Sequence, residues 1–329
     1  NGGPTQTHAL LSGSPALNAG SNALLPADTF DLDGDLDTAE PIPFDQRGAG
    51  FLRAIGTVDI GAFELQKSVS LTALDAAKAE GNGGATTNFT FTVARTGDLA
   101  DSVTLDWTVT GSGVNQTTAA DFAATTGQVT LNATEGSKVV NVVVNADNIV
   151  EPAEGFTVTL SNPTNGYVLN GATADGTINN DDSATILLTG GTAKDEGNSG
   201  TTTYTFTATL SQPVQGGVSV AYTTNDGTAT VADNDYTDND SSLNFPGSVA
   251  NEQRTFDVFV TGDDKVEANE EFTAALGAVT GGHGSVTVGG TSQTGTITND
   301  DSASISITDV TQLESGGGMN FTVSLTAPS

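Results

Sequence analysis

The chain has no cysteine, one tryptophan, one methionine and only 9 lysines and arginines against 40 aspartates and glutamates. Without cysteine no disulfide can staple a small domain, so a cross-link must come from elsewhere, and a metal ion is the obvious candidate. The formal net charge of -31 makes nucleic acid and anionic membrane surfaces poor partners and cations natural ones. No apolar run approaches the ~20 residues of a membrane span. The chain opens Asn1-Gly2-Gly3-Pro4, with neither Met nor a signal peptide, and so reads as a processed product or a piece of something longer. Helical periodicity is scarce. Forty glycines among 329 residues, with abundant threonine, predict an all-β protein of about two or three domains.

What the chain has instead is acid in clusters. Asp147-Asn-Ile-Val-Glu-Pro-Ala-Glu154 recurs as Asp263-Asp-Lys-Val-Glu-Ala-Asn-Glu270, each just before a phenylalanine-led strand at Phe156 or Phe272. Carboxylates this crowded repel one another unless they are solvated or hold a cation. Ligands that are all oxygen favour a hard ion, calcium before magnesium.

From about Lys67 apolar residues alternate with Thr, Ser and Asn, the period that puts one strand face in a core and the other in water. Phe89, Phe91 and Val93 make one such set, followed by Val103, Leu105, Trp107 and Val109, then Val129 and Leu131. Val140, Val142 and Val144 come next, then Phe156, Val158 and Leu160, with further strands near Val69 and Ile178. About seven strands in this stretch predict a two-sheet sandwich of immunoglobulin-like type.

The pattern then repeats. Ala79-Glu80-Gly81-Asn82 returns as Asp195-Glu196-Gly197-Asn198 and, degraded, as Leu313-Glu314-Ser315-Gly316. Gly176-Thr-Ile-Asn-Asn-Asp-Asp182 returns as Gly295-Thr-Ile-Thr-Asn-Asp-Asp301. A spacing of 196 − 80 = 116 residues means tandem domains rather than a solenoid of short repeats. The ordered set Glu-Gly-Asn, Asp-Phe or Asp-Tyr, Asp-x-x-x-Glu-x-x-Glu-x-Phe and Gly-Thr-Ile-x-Asn-Asp-Asp resembles the Calx-beta family, known from sodium–calcium exchangers and from repeats in large bacterial surface proteins. The resemblance implies calcium-binding sandwiches with several ions at one end of each. In the first domain it implies as ligands Glu80, Asp121, Asp147, the carbonyl of Ile149, Glu151, Glu154, Asp181 and Asp182. In the second it implies Glu196, Asp235, Asp263, the carbonyl of Lys265, Glu267, Glu270, Asp300 and Asp301. Asn180 and Asn299 depart from the three acids that vertebrate members carry at this strand ending.

Topology supports the same grouping independently. If strands A to G reverse direction in turn, the end of A at Glu80, the C–D loop at Asp121, the E–F loop and the end of G all meet at one pole.

Residues 1–66 differ in texture. Ser14-Pro-Ala-Leu-Asn-Ala-Gly20, Phe44-Asp-Gln-Arg-Gly48 and Val58-Asp-Ile-Gly-Ala-Phe-Glu64 resemble the C-terminal end of right-handed parallel β-helix domains of bacterial surface proteins. That resemblance implies the last rungs and cap of a solenoid. Here Asp31-Leu-Asp-Gly-Asp-Leu-Asp37 sets Asp31, Asp33, Asp35 and Asp37 at every second position, a spacing that can wrap calcium as an EF-hand loop does. Ile42 stands at the twelfth place where that loop needs Glu, so a merely solvated acidic loop is the alternative. Arg47 and Arg53 are expected to pair with Asp45 or Asp59, and Trp107 to sit in the core.

The expected division is 1–66 as solenoid end, 67–182 and 183–301 as full domains, and 302–329 as the start of a third. That last piece is expected to be completed by a longer chain or by a neighbouring copy adding to a sheet edge, which could build a filament. His8 and His283 are the only histidines, and no acid, base and nucleophile set points to catalysis. The expected function is a calcium-rigidified structural or adhesive module, extracellular or at a cell surface. The alternatives are accessory modules of a β-helix polysaccharide-acting enzyme, or a calcium sensor.

Overall fold

The computed structural model describes residues 7–11, 14–54, 57–314 and 317–328. Ser315 and Gly316, which close the third Glu-Gly-like phrase, lie outside the described residues. The chain divides into two compact units, Asn1–Asp147 with Pro152–Asp181, and Asn148–Glu151 with Asp182–Ser329.

In the first unit the strands are β1 (Ser68–Asp75), β2 (Ala77–Ala79), β3 (Thr86–Thr96), β4 (Val103–Ser112), β5 (Thr126–Leu131), β6 (Ser137–Asn145), β7 (Glu154–Ser161), β8 (Val168–Leu169) and β9 (Thr173–Asn179). They form a four-stranded sheet in the order β6-β3-β1-β8 and a five-stranded sheet in the order β2-β9-β7-β4-β5. Alternation delivers the core as expected. Phe89, Phe91, Val103, Leu105, Val142, Phe156 and Val158 are fully buried, and Phe156 meets Phe89, Phe91 and Phe122 edge to face. Burying side chains of this size stabilises the fold by ~1.5–3 kcal/mol each. Trp107 is partly buried against this core and its ring covers Gly127.

The predicted first strand is in fact two. Register slips between Ala73 and Asp75, after which β2 leaves β3 and pairs in parallel with β9. Buried Ala76 sits at that step. Two-residue β8, which pairs in parallel with β1, is also unforeseen, because so short a ladder leaves no alternation to read.

The second unit repeats this plan. Its strands are β10 (Ala184–Gly190), β11 (Lys194–Asp195), β12 (Gly200–Leu210), β13 (Val218–Asp226), β14 (Ser241–Phe245), β15 (Glu252–Gly262), β16 (Glu270–Gly281), β17 (Val286–Gly289) and β18 (Ser292–Thr298). The sheets run β15-β12-β10-β17 and β11-β18-β16-β13-β14. Tyr204, Phe206, Phe245 and Phe272 fill the core. Val150 belongs to this core as well: it is fully buried, its N–H donates to the Pro213 carbonyl at 3.0 Å, and its carbonyl accepts from Gln215 at 2.8 Å. β19 (Ile305–Ile307) and β20 (Val323–Leu325) pair antiparallel as a separate two-stranded sheet with exposed side chains.

The parallel β-helix end expected over residues 1–66 does not appear among the described residues. They carry one short 3-10 turn (Asn22–Leu24) and the isolated antiparallel bridges Ala27↔Pro41 and Phe44↔Leu52, with no parallel ladder. The segment is held by polar anchors instead. Arg47 pairs with Asp45 at 2.6 Å, both buried, while its guanidinium lies against Phe51 and Phe63. Arg53 donates to the Gly61 carbonyl at 2.7 Å, and Asp59 accepts the backbone amides of Asn18 and Leu65. Short apolar phrases broken by Pro, Gly and Asp give too little continuous strand for a rung.

Candidate metal centre

In the second unit β11 ends at Asp195 and β18 at Thr298, and the two strands run parallel, so the residues that follow them emerge side by side. Glu196 is 6% exposed. Its carbonyl accepts the Thr202 hydroxyl at 2.7 Å and its N–H donates to Thr298 at 3.3 Å. The Gly197 amide donates to Asp300 at 3.2 Å, and the Asn198 side chain to Asp301 Oδ1 at 2.7 Å. The Glu-Gly-Asn phrase is thus a clasp on the Asp-Asp pair, with Gly197 at φ +84 making the turn. Glu196, Asp300 and Asp301 bring one carboxylate oxygen each within 4.8 Å of the others. Asp301 Oδ2 is buried and has no hydrogen-bond partner. A buried carboxylate oxygen without a donor is costly, and a cation is the ligand that such an oxygen fits.

A second trio, Asp235, Glu267 and Glu270, meets the same 4.8 Å limit. The Asp235 carboxylate accepts the Thr230 amide at 2.7 Å, and Lys265 forms an ion pair with Glu267. The Asp263 carboxylate is turned to the Lys265 amide at 2.7 Å. Burial, then repulsion from Glu267, Asp263, Asp301 and Asp300, pushes Glu196 up to about 7. Burial, then Asp235 and Glu267, pushes Glu270 up to about 7 against the opposing pull of Lys265. Glu196 and Glu270 are therefore poised to exchange a proton for a cation near neutral pH.

In the first unit Glu80, 3% exposed, follows β2 as Glu196 follows β11. It and Asp147 bring carboxylate oxygens within 4.8 Å, and Asn82 bridges to Asp147 in parallel. The Gly81 amide donates to Asp181 at 3.3 Å, which repeats the clasp. Glu154 is buried at the start of β7. Asp121 falls in no carboxylate group among the described residues: it closes a capping box with Thr118, accepting that residue's amide at 2.5 Å. Ile149 and Glu151 cluster with the second unit, where Glu151 accepts from Gln215 at 3.4 Å, and Asp182, 7% exposed, opens that unit.

Near the N-terminus Asp31, Asp33 and Asp35 converge within 4.8 Å, whereas Asp37 joins no such group among the described residues and accepts the Ala39 amide. Sequence reasoning missed two kinds of residue. Asn299, counted as a lost ligand, is a brace: its Oδ1 accepts the Glu267 amide at 2.9 Å and its Nδ2 donates to the Asp301 carbonyl at 3.0 Å. The repetition of Asn in Asn180 and Asn299 was the available signal. The side chain of Lys265, considered only for its carbonyl, supplies a fixed positive charge inside the acidic loop.

No curated protein matches the chain. Among solved structures, CBD12 from CALX1.2 is 19% identical over 69% of this chain and 99% of that one, with a TM-score of 0.32. The apo-form Calx CBD1 domain is 20% identical over 36% of this chain and 99% of that one, with a TM-score of 0.30. Superpositions this loose carry no argument. The family match does: the Calx-beta domain aligns to residues 74–182 and again to 180–309, well over half of the chain. The chain therefore belongs to the Calx-beta domain family.

Proposed function

We propose that the acidic pole of each sandwich binds calcium and that the chain serves as a calcium-rigidified structural or adhesive module of an extracellular bacterial surface protein, matrix or fibre. Calx-beta domains are calcium-binding modules. The observation that carries the reading is the clasped trio Glu196, Asp300 and Asp301 with its buried, unpartnered Asp301 Oδ2. Glu196, Asp235, Glu267, Glu270, Asp300 and Asp301 would hold ions in the second sandwich, and Glu80 and Asp147 would contribute in the first. Calcium, when bound, supplies the positive charge that lets these carboxylates stay ionised while desolvated. The protein side supplies a preset clasp, so little of the pole must reorganise to receive it.

Thermal unfolding of metal-free protein tests this directly. A hundredfold excess of calcium over Kd should stabilise each site by about 2.7 kcal/mol, and chelation should reverse the gain. An identical melting curve in calcium and in EDTA would remove the proposal. A spacer role further requires only ~0.1–1 mM affinity, as extracellular modules show.

A further inference from the structure

Outside both sandwiches, and before residue 74 where the family match begins, the bridge Ala27↔Pro41 closes a loop of thirteen residues, 28–40. The Asp28 amide donates to the Glu40 carbonyl at 2.6 Å, and the Ile42 amide to Pro26 at 2.9 Å. The loop carries six acids and no Lys, Arg or His. The nearby arginines are committed elsewhere, Arg47 to Asp45 and Arg53 to Gly61.

Two buried oxygens set this loop apart from a solvated acidic turn. Asp28 is 0% exposed. Its Oδ2 accepts the Leu32 amide at 2.7 Å, but its Oδ1 is buried with no hydrogen-bond partner. Glu40 Oε1 is likewise buried and unpartnered. Asp28, Asp33 and Glu40 bring carboxylate oxygens within 4.8 Å of one another, and Asp33 also stands within 4.8 Å of Asp31 and Asp35. Burial, then the charges of Asp33, Asp35, Asp37 and Asp28, holds the Glu40 carboxyl above its ordinary value.

We infer that residues 28–40 form a divalent-cation site, selective for calcium, with buried Asp28 and the buried Oε1 of Glu40 as anchors and Asp33 as the ligand shared with Asp31 and Asp35. The alternating aspartates alone do not define it. The anchors lie at the two ends of the loop, twelve positions apart, and are joined by the Ala27↔Pro41 bridge. All the donors are carboxylate oxygens, without nitrogen or sulfur, which disfavours transition metals. The many carboxylates of a pliable loop suit calcium better than the strict octahedron of magnesium.

Hydrogen exchange on the full chain, read by mass spectrometry, tests the site locally. Adding about 5 mM calcium to metal-free protein should slow exchange across 28–40 roughly tenfold. Glu40→Gln, Asp28→Asn and Asp33→Asn should each abolish that slowing. Asp28→Asn could loosen the loop by itself through Leu32, so Glu40→Gln and the exposed Asp33→Asn decide. No calcium response over 28–40 in the unaltered chain, or a response that survives Glu40→Gln and Asp33→Asn, would overturn the inference. An equal response to magnesium alone would overturn the assignment to calcium. The sandwich proposal is read in the same spectra from residues 263–270, so the two readings fail separately.

Discussion

At the scale of the residue, two of the repeated motifs of each sandwich turn out to meet in one contact. Phe272 lies near the start of β16, after the acidic loop, and Gly295 opens Gly-Thr-Ile; a Cβ at Gly295 would lie 2.4 Å from the tip of the Phe272 ring. Gly176 and Phe156 repeat the arrangement at 2.2 Å. Glycine is there because the ring occupies the space of a side chain. Gly295→Ala should therefore destabilise the second sandwich by about 1–3 kcal/mol through overpacking, measurable by urea denaturation. Titration offers a second residue-scale test. Glu196 and Glu270 have folded values raised from 4.5 to about 7, so the folded state binds protons more tightly than the unfolded chain. The stability this contributes is full below about pH 4.5 and is lost as pH rises through about 7. In chelator the second sandwich should melt lower at pH 8 than at pH 5, and added calcium should raise its melting temperature more at pH 8 than at pH 5, because ionised acids bind it better.

At the scale of the element, the loop Asp263 to Glu270 differs from its counterpart Asp147 to Glu154 by two charges of opposite sign, Asp264 in place of Asn148 and Lys265 in place of Ile149. The Lys265 ammonium is paired with Glu267. The Lys265 side chain is 48% exposed, so solvent screens the pair and it contributes little. Lys265→Ile should tighten calcium binding to the second sandwich by no more than roughly fivefold, as calorimetric titration would register; weaker binding would show that Lys265 supports the loop. The strands themselves were legible because alternation at Phe89, Phe91 and Val93, or at Phe156, Val158 and Leu160, maps directly onto burial. The step at Ala76 was not, since the same alternation continues whichever neighbour a strand chooses. Asp121 looked like a ligand by position, whereas among the described residues it joins no carboxylate group and one of its oxygens accepts the Thr118 amide. Asp28 and Glu40 escaped notice for the opposite reason: only a bridge between distant residues brings them together. Arg95 was equally hidden. It is buried, and its guanidinium is spent on the carbonyls of Leu99, Asp101, Asn132 and Glu135 and on the Tyr167 hydroxyl, partners scattered over seventy residues.

At the scale of the whole molecule, the strand order of each unit has a mechanical meaning. In the second sandwich β11, which follows the entering strand β10, and the leaving strand β18 lie side by side and parallel; β2, which follows β1, and β9 do the same in the first. Tension applied along the chain therefore pulls two parallel neighbours in opposite directions, loading their hydrogen bonds in shear together instead of unzipping them singly. The carboxylates of Glu196, Asp300 and Asp301 follow the C-terminal ends of that sheared pair, so a calcium ion held among them would bolt the two strands together where the chain leaves the sandwich. Resistance to extension is governed by the rate of forced unfolding rather than by equilibrium stability. Single-molecule pulling should thus find a higher rupture force for the second sandwich in calcium than in chelator, and Glu196→Gln should remove the difference; equal forces in both would mean that the bolt bears no load.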